Sequence, residues 1–238
     1  MTGNDHHHDV FHRLTIHRVK TLAERYLLLF VKVPVEYRYE PGQYVKMRFA
    51  TAAGLQVRYY SIANVPNKER IVDFCILLTE DPLSDHLRTL AKGDEIEMSP
   101  AYGGFRIKDK MRPVVLIAGG SGISPLRSFF FEMTDELRGP PPQPINLIYG
   151  CKDGSGIPGK EEFLEFYQRF PQAGKLFLLA EVNTGGGVEN GRVTDYLKTA
   201  LIPEADYYLC GPKPMLDTVT TELESLGIPR NQIYCDPH

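Results

Sequence analysis

Apolar and polar positions alternate along the first half of the chain in short runs that turn residues interrupt. Six runs predict β-strands, at residues 14–19, 26–32, 44–49, 57–62, 72–78 and 95–99. The interruptions are pairs and triplets typical of turns: Pro41-Gly42, Ala53-Gly54, Pro66-Asn67 and Lys92-Gly93-Asp94. Short strands at this spacing favour an antiparallel sandwich or barrel. One short helix is predicted at residues 83–90.

The second half has a different pattern, in which apolar strands alternate with amphipathic helices. Strands are predicted at residues 114–118, 145–149, 176–182, 207–210 and 232–235. Helices are predicted between them, at residues 125–137, 161–170, 193–201 and 215–226. Continuously apolar strands are buried on both faces, so this alternation predicts a doubly wound parallel sheet.

The change of pattern predicts two domains of different class, an all-β domain followed by an α/β domain. We place a flexible N-terminal tail at residues 1–9, the β domain at residues 10–110 and the α/β domain at residues 111–238. The proline-rich segment 139–144 is interpreted as a stiff surface loop, because the α/β pattern resumes directly after it.

Charge and hydropathy exclude several classes of function. The 27 Lys and Arg residues nearly balance the 30 Asp and Glu residues, which leaves a net charge of −3. This balance gives no reason to expect a nucleic acid as a partner. No apolar run is long enough to predict a membrane span. The first residues lack the pattern of a secretory signal, so a cytoplasmic location is expected.

The cysteines and the N-terminal histidines do not predict a metal site. Cys75, Cys151, Cys210 and Cys235 are far apart in the sequence and form no C-x-x-C motif. Neither a structural zinc nor an iron–sulfur cluster is therefore expected, and reduced thiols are the default. The run of histidines at residues 6–8 fits a disordered or tag-like end better than a metal site.

The clearest local motif is a glycine turn between a buried strand and a helix. Gly119-Gly120-Ser121-Gly122-Ile123-Ser124-Pro125 follows the strand at 114–118. Such a turn presents backbone N–H groups and a positive helix dipole to an anion. The spacing is G-x-G-x-x-P, and the glycines alone fit a plain tight turn equally well. The position in the first strand–helix unit of the α/β half favours a dinucleotide site.

A second turn is predicted at the same edge of the sheet. The strand at 207–210 ends in Cys210-Gly211-Pro212, and a helix follows. Ligands of open α/β sheets bind outside the carboxyl ends of the strands. Cys210 is therefore expected to face the same crevice as the glycine turn, although a small buried hydrophobe is the alternative interpretation.

Three motifs in order carry a resemblance to a known family. They are Arg58-Tyr59-Tyr60-Ser61, the glycine turn, and Cys210-Gly211-Pro212 with Met215, and Pro41-Gly42-Gln43-Tyr44 precedes the first. The set resembles the ferredoxin–NADP reductase superfamily over nearly the whole chain. The resemblance implies a Greek-key β-barrel that binds FAD and an α/β domain that binds the nicotinamide dinucleotide.

The resemblance also implies roles for individual residues. Arg58 would pair with the flavin diphosphate, Tyr60 would stack on the isoalloxazine, and the Ser61 hydroxyl would hydrogen-bond flavin N5. The full set implied on the flavin side is Arg58, Tyr59, Tyr60, Ser61, Cys75, Ile76, Leu77, Pro82, Leu83 and Ser84. The set for the dinucleotide is Gly120, Ser121, Gly122, Ile123, Pro125, Glu181, Cys210, Gly211, Pro212 and Met215. Ser61 and Cys210 are the polar groups expected beside the reacting rings.

The sequence departs from the family pattern at two places. Asp81 stands where the family usually has a glycine, and a carboxylate beside phosphates is unfavourable unless it points away. Many relatives place an aromatic residue over the flavin near the C-terminus. Here Tyr234 lies on the last predicted strand, where its ring is not expected to reach the flavin, and the candidate for a cap is His238.

The nicotinamide cofactor is expected to be NADH, with NADPH as the alternative. An acidic residue at a strand end favours the free ribose of NAD, whereas cations favour the 2′-phosphate of NADP. Glu181 lies at the end of the third strand of the α/β half and favours NADH, while Lys152 lies at the end of the second strand and weakly favours NADPH.

Together these features predict an NAD(P)H oxidoreductase in which FAD delivers single electrons to a separate acceptor. The expected acceptor is a ferredoxin-type protein, an oxygenase component or a cytochrome. One alternative is a reductase of free flavin or ferric chelates, with the flavin as substrate. A second is a non-enzymatic redox sensor or assembly subunit with the same fold.

Overall fold

The computed structural model describes residues 10–23, 25–51, 54–134, 139–182 and 185–236. The predicted tail with its histidines, Ala53, Leu137 and His238 lie outside the described residues. No helix in the described parts of the chain is long and apolar enough to cross a membrane.

The first half forms a curled antiparallel sheet of six strands. The strands are β1 (His12–Leu22), β2 (Tyr26–Lys32), β3 (Tyr44–Thr51), β4 (Gly54–Ser61), β5 (Ile71–Leu77) and β6 (Glu95–Met98), in the order β4-β3-β6-β1-β2-β5. The edge strands meet through a bridge between Ile62 and Phe74. The predicted helix is α1 (Pro82–Thr89). The predicted antiparallel barrel is confirmed.

Alternation along the strands builds the core of this barrel. In β3, Val45, Met47 and Phe49 are buried, and the residues between them are only partly covered. Because successive side chains of a strand point to opposite faces, this period of two turns one face of each strand inward. The inner faces pack with Leu83 and Leu87 of α1.

The second half forms a parallel sheet with helices on both faces, as predicted. The strands are β7 (Val114–Gly119), β8 (Ile145–Asp153), β9 (Leu176–Val182), β10 (Glu189–Asn190), β11 (Asp206–Cys210) and β12 (Ile233–Cys235), in the order β10-β9-β8-β7-β11-β12. The helices are α2 (Ile123–Thr134), α3 (Lys160–Arg169), α4 (Val193–Ala200) and α5 (Lys213–Ser225).

The two layers of helices pack on alternate residues of the central strand. Val114 and Leu116 of β7 pack with α2 and α3, and Val115 and Ile117 pack with α4 and α5. Strand order reverses at β7, which pairs with β8 on one side and with β11 on the other. The turns that follow β7 and β11 are therefore neighbours at the carboxyl edge, where ligands of such sheets bind.

Several predicted boundaries in this half were wrong, including the start of α5, which begins at Lys213 and not at residue 215. Helix α2 begins at Ile123, two residues before the predicted start, because a 3₁₀ turn over Gly120–Gly122 leads directly into it. Strand β8 continues to Asp153, since Cys151 and Asp153 still pair with β9 despite their polar character.

Helix α2 also joins the two sheets through hydrogen bonds. The Ser124 hydroxyl donates to the Cys75 carbonyl of β5 at 3.0 Å. The Arg127 guanidinium donates to the Ala63 carbonyl at 2.8 Å, lies 3.4 Å from the Asp73 carboxylate and forks onto Glu162 of α3 at 2.7 and 2.9 Å. Burial raises the pKa of Asp73, and the Arg127 charge opposes that shift.

Replacing Arg127 by lysine is expected to lower the free energy of unfolding by about 1–2 kcal/mol, because an ammonium keeps the charge but cannot serve all these acceptors in the guanidinium's fork geometry. Urea unfolding followed by circular dichroism measures the change. Arg169→Lys is the matched control, since Arg169 is exposed and lies over the Phe170 ring. Equal stability of the two variants would show that Arg127 does not join the halves.

Candidate functional site

A slot opens between β4 and β5 beyond the bridge that joins them. Strand β4 ends at Ser61, just before Ile62, whereas β5 continues past Phe74 to Leu77. Because the two segments are antiparallel, Ser61 and Cys75 are the residues beside the bridge on its open side. Within the described residues, the two strands form no further pair along 59–61 and 75–77. The strand that carries Arg58-Tyr59-Tyr60-Ser61 and the strand that carries Cys75, Ile76 and Leu77 are therefore not paired with each other here, and the Cys75 carbonyl accepts from Ser124 of α2 instead.

The side chains of β4 at this slot have unused polar groups. The Arg58 guanidinium donates to the Val57 carbonyl at 3.0 Å, and no carboxylate lies within salt-bridge distance of it among the described residues. Tyr60 is half-buried against Phe49, and burial raises the pKa of its phenol to about 12. A free cation beside a partly covered aromatic ring fits a flavin with its diphosphate.

Tyr59 lies on the opposite face of β4 from Arg58 and Tyr60. Its side chain is 56% exposed, and its ring packs edge-on against Tyr44 at 5.8 Å. The contact with Tyr44 holds the ring of Tyr59 away from Arg58 and Tyr60, which share the other face of β4. A contact from Tyr59 to the flavin would have to come from its backbone.

The N-terminus of α1 lies at the other end of the slot and is capped by Asp81. The Asp81 carboxylate accepts from the backbone N–H groups of Leu83 and Ser84 at 2.8 and 3.0 Å. Hydrogen bonds to the carboxylate lower the pKa of Asp81 to about 2, and the bond from the Thr79 hydroxyl contributes most. The carboxylate points into the helix end where the resemblance places the flavin diphosphate, so this part of the cradle does not fit an anion as it stands.

The two turns at the carboxyl edge of the parallel sheet are in close contact. A Cβ atom on Gly122 would lie 2.2 Å from the carbonyl oxygen of Cys210. A Cβ on Gly119 would lie 2.4 Å from the sulfur of Met215, whose side chain packs between Gly119 and Gly211. Glycine at these positions is therefore required by the approach of the turns. The structure brings together the predicted set Gly120, Gly122, Cys210, Gly211 and Met215.

Cys210 is buried beneath this contact, and its thiol faces the Asp236 carboxylate at 3.6 Å. Burial raises the pKa of the Cys210 thiol well above its usual range, and the Asp236 charge adds to the shift. Cys210 is therefore a neutral thiol at physiological pH. Asp236 is itself buried, and sequence reasoning missed it because it lies beyond the last predicted strand.

A cleft of about 950 Å³ lies between the barrel and the carboxyl edge of the parallel sheet. The barrel contributes Arg25, Leu77 and Thr79 to its walls, and the α/β half contributes Gly120, Lys152, Glu181, Arg192, Pro212 and Met215. The size and the glycine turn fit a dinucleotide. Leu77 belongs to β5, so the cleft adjoins the slot.

Arg25 brings a positive charge from the barrel to this cleft. Its Nε atom is buried and has no hydrogen-bond partner within the described residues. Burial raises the pKa of the Cys151 thiol to about 11, and the Arg25 charge opposes that shift, which places the guanidinium near the end of β8. Sequence reasoning missed Arg25, because the hairpin between β1 and β2 carries no motif.

Glu181 lies in the cleft as predicted, but it is paired. Its carboxylate is 3.5 Å from the Arg192 guanidinium, and both side chains are largely exposed. Lys152 lines the same cleft. Lys152 and Glu181 thus lie at the ends of β8 and β9, where an adenosine ribose would bind in a sheet of this type, and Arg192 reaches Glu181 from the start of α4.

The ring of Tyr234 stacks on Tyr208 with centroids 5.0 Å apart and planes 19° apart. Tyr234 also borders a separate cavity of about 430 Å³ together with Tyr44 and Phe105.

Nothing in the described residues groups three or more His, Cys, Asp or Glu side chains for a metal ion.

Comparisons with known proteins agree with this geometry. A family model described as an oxidoreductase NAD-binding domain matches residues 116–221. Over 218 residues the chain is 29% identical to the reductase component of propane 2-monooxygenase from Mycolicibacterium goodii, covering 85% of this chain and 60% of that protein. Over 230 residues it is 28% identical to the toluate 1,2-dioxygenase electron transfer component of Pseudomonas putida, covering 94% and 66%.

Among solved structures, the FAD/NAD-binding domain of nitric oxide dioxygenase from Vibrio cholerae O1 biovar El Tor matches with a TM-score of 0.81 at 20% identity, covering 96% of this chain and 98% of that one. Residues 116–221 are thus similar to an oxidoreductase NAD-binding domain, and the chain has the fold of ferredoxin–NADP reductase-like FAD/NAD-binding modules. The fold that the resemblance implied is thereby confirmed, and the match to an NAD-binding domain agrees with the predicted nicotinamide cofactor. The chain spans only 60% and 66% of the two curated relatives.

Proposed function

We propose that the chain oxidises NADH with a bound FAD and passes the electrons singly to a separate protein. FAD supplies the essential chemistry, since it takes up a hydride from a reduced nicotinamide and can give up electrons one at a time. The observation that carries the proposal is that the β4–β5 slot and the 950 Å³ cleft share β5, with Cys75 at the slot and Leu77 in the cleft. Two cofactors bound there would be in contact.

The residues of the slot bind and orient the flavin in this proposal. Tyr60 supports the isoalloxazine with its half-buried ring, and the Ser61 hydroxyl, which has no hydrogen-bond partner in the described residues, donates at N5. Arg58 binds the diphosphate with the guanidinium that no carboxylate neutralises. The backbone of Cys75, Ile76 and Leu77 forms the other wall of the slot beside the ring.

The cleft binds the dinucleotide through both halves of the chain. The turn at Gly120, Ser121 and Gly122 offers N–H groups to the diphosphate at the start of α2, and Arg25 offers a charge from the barrel. Cys210 and Gly211 lie beside the nicotinamide, with Cys210 as a neutral thiol that Asp236 holds in place. The interface of α2 with β5 fixes the distance between the two rings.

We propose NADH as the preferred reductant, on the ground that Glu181 repels a 2′-phosphate and occupies Arg192. Glu181→Gln is expected to lower the KM for NADPH by roughly fivefold and to change the KM for NADH less than twofold, since one charge repulsion is removed and Arg192 is released. Steady-state assays with a chemical acceptor measure both constants.

The matched control for Glu181 is Glu161→Gln, which removes an exposed carboxylate from the first turn of α3, outside the residues that line the cleft. An unchanged ratio of the two KM values in Glu181→Gln would show that Glu181 does not select the reductant.

The acceptor we propose is a ferredoxin-type protein or an oxygenase component. Support comes from relatives named as the reductase or electron transfer components of oxygenases. The test supplies NADH and excess FAD and compares a [2Fe–2S] ferredoxin with free FMN. Reduction of the ferredoxin faster than that of FMN supports the proposal, and reduction of FMN alone contradicts it.

A second candidate function, an NAD(P)H-dependent reductase of free flavin, is favoured by one observation. The Asp81 carboxylate occupies the helix end that would otherwise hold the flavin diphosphate. A flavin that binds without this contact dissociates more readily. The comparison of a ferredoxin with free FMN also separates these two candidates, because a reductase of free flavin reduces FMN alone.

A further inference from the structure

The first turn of α1 has no backbone donor left for a phosphate. Pro82 has no N–H group, and the N–H groups of Leu83 and Ser84 both donate to one oxygen of the Asp81 carboxylate. The N–H group of Asp85 donates to the Asp81 carbonyl at 3.1 Å. Every donor that a helix N-terminus normally offers to an anion is therefore satisfied from within the chain.

The second carboxylate oxygen of Asp81 is also engaged by side chains. It accepts from the Ser84 hydroxyl at 3.1 Å and from the Thr79 hydroxyl. The Ser84 hydroxyl itself accepts from the Thr79 N–H group at 2.9 Å. Ser84 was predicted as a flavin contact, and in this arrangement its hydroxyl already has partners on both sides.

Asp81 faces the same part of the slot as the cation on β4. Burial is the main cause of the raised pKa of the Tyr60 phenol. The Arg58 charge lowers that pKa and the Asp81 charge raises it, so both charges lie near the phenol. A diphosphate that reaches Arg58 from a flavin on Tyr60 therefore comes close to the Asp81 carboxylate. Two anions at one helix end repel each other, and only one can accept the N–H groups.

We propose that Asp81 competes with the diphosphate of FAD for the N-terminus of α1 and so keeps the flavin exchangeable. This inference rests on the proposed placement of the flavin in the β4–β5 slot. Asp81 acts as a built-in substitute for the phosphate: it stabilises α1 when the flavin is absent and must release Leu83 and Ser84 when the diphosphate binds. The riboflavin part of FAD then provides most of the binding.

The test measures dissociation constants for FAD and riboflavin by quenching of flavin fluorescence in the full chain. Asp81→Gly removes both the charge and the cap, and Asp81→Asn removes the charge but can still cap the helix. We expect FAD to bind about tenfold more tightly to Asp81→Gly and about threefold more tightly to Asp81→Asn. Riboflavin lacks phosphate, so its dissociation constant is expected to stay unchanged in both variants.

Asp85→Asn is the matched control, because it removes the same charge from the first turn of α1 while Asp85 pairs with Arg88 at 2.9 Å instead of capping the helix. This control should leave the affinity for FAD within twofold. Asp81→Asn keeps the test valid should Asp81→Gly unfold.

Two results would overturn the proposal in distinguishable ways. Unchanged or weaker binding of FAD to both Asp81 variants, with riboflavin bound as in the original protein, would show that Asp81 does not compete with the diphosphate, and the proposed function would stand. Failure of every form to bind either flavin would overturn the placement of the flavin and the proposed function with it.

Discussion

Replacing Gly122 by alanine is expected to slow flavin reduction by NADH about a hundredfold or more. The added Cβ would lie 2.2 Å from the carbonyl oxygen of Cys210, 2.4 Å from its carbonyl carbon and 2.7 Å from the nitrogen of Gly211. These are backbone atoms, which cannot rotate away as a side chain can. The turns after β7 and β11 must separate, and the nicotinamide that binds between them loses its position against the flavin.

Anaerobic single-turnover reduction with FAD supplied measures this effect, and the FAD dissociation constant serves as an internal check. The affinity for FAD should change little, because the slot lies between strands of the barrel. Gly139→Ala is the matched control, since a Cβ there meets nothing within 4 Å. Reduction of Gly122→Ala at the rate of this control would contradict the role of the contact.

Replacing Tyr60 by alanine is expected to weaken FAD binding by up to about a hundredfold, the effect of losing one aromatic stacking platform. Tyr60 is half-buried and held edge-on against Phe49 with ring centroids 6.4 Å apart. Its removal takes away the surface for the isoalloxazine and leaves Phe49 partly uncovered. Fluorescence titration with FAD measures the affinity, and thermal unfolding reports any loss of barrel stability.

Two controls separate stacking from other effects of Tyr60. Tyr60→Phe keeps the ring and should bind FAD within about threefold of the original protein, because the phenol makes no hydrogen bond within the described residues. Tyr59→Ala removes the neighbouring tyrosine on the opposite face of β4 and should change the affinity little. Equal losses in Tyr59→Ala and Tyr60→Ala would contradict the assignment of faces.

Strands and helices with a strong apolar pattern were predictable from the sequence. The bounds predicted for β2 and β9 agree with the structure, because β2 is apolar up to Lys32 and β9 is apolar except for Glu181. Strand β10 was missed, since Glu189 and Asn190 carry no apolar pattern and pair with Leu179 and Ala180 through their backbone alone. The end of β8 was placed too early for a similar reason.

The candidate site was predictable where a motif is local and not where the fold brings distant residues together. Arg58, Tyr60 and Ser61 follow one another on β4, and the glycine turn is continuous in sequence. Arg25, Arg127 and Asp236 are isolated residues that only tertiary contacts bring to the site. For these the sequence holds no periodic or spacing signal.

Asp81 combines both situations, because the sequence identifies the residue but does not predict its contacts. The sequence identifies a carboxylate in an unusual place and leaves its orientation open. In the structure the carboxylate turns into the helix and takes the N–H groups of Leu83 and Ser84. Helix capping stabilises the chain locally, and the cofactor competes with that stabilisation.

Anaerobic stopped-flow mixing of the FAD-loaded protein with NADH, followed at the visible absorption band of the flavin, tests whether the slot and the cleft bring the two cofactors together. We predict rapid bleaching whose rate saturates with NADH, and slower bleaching with NADPH at equal concentration. A protein that binds FAD but does not bleach with either reductant would contradict the account, because the slot and the cleft would then not bring the two cofactors together.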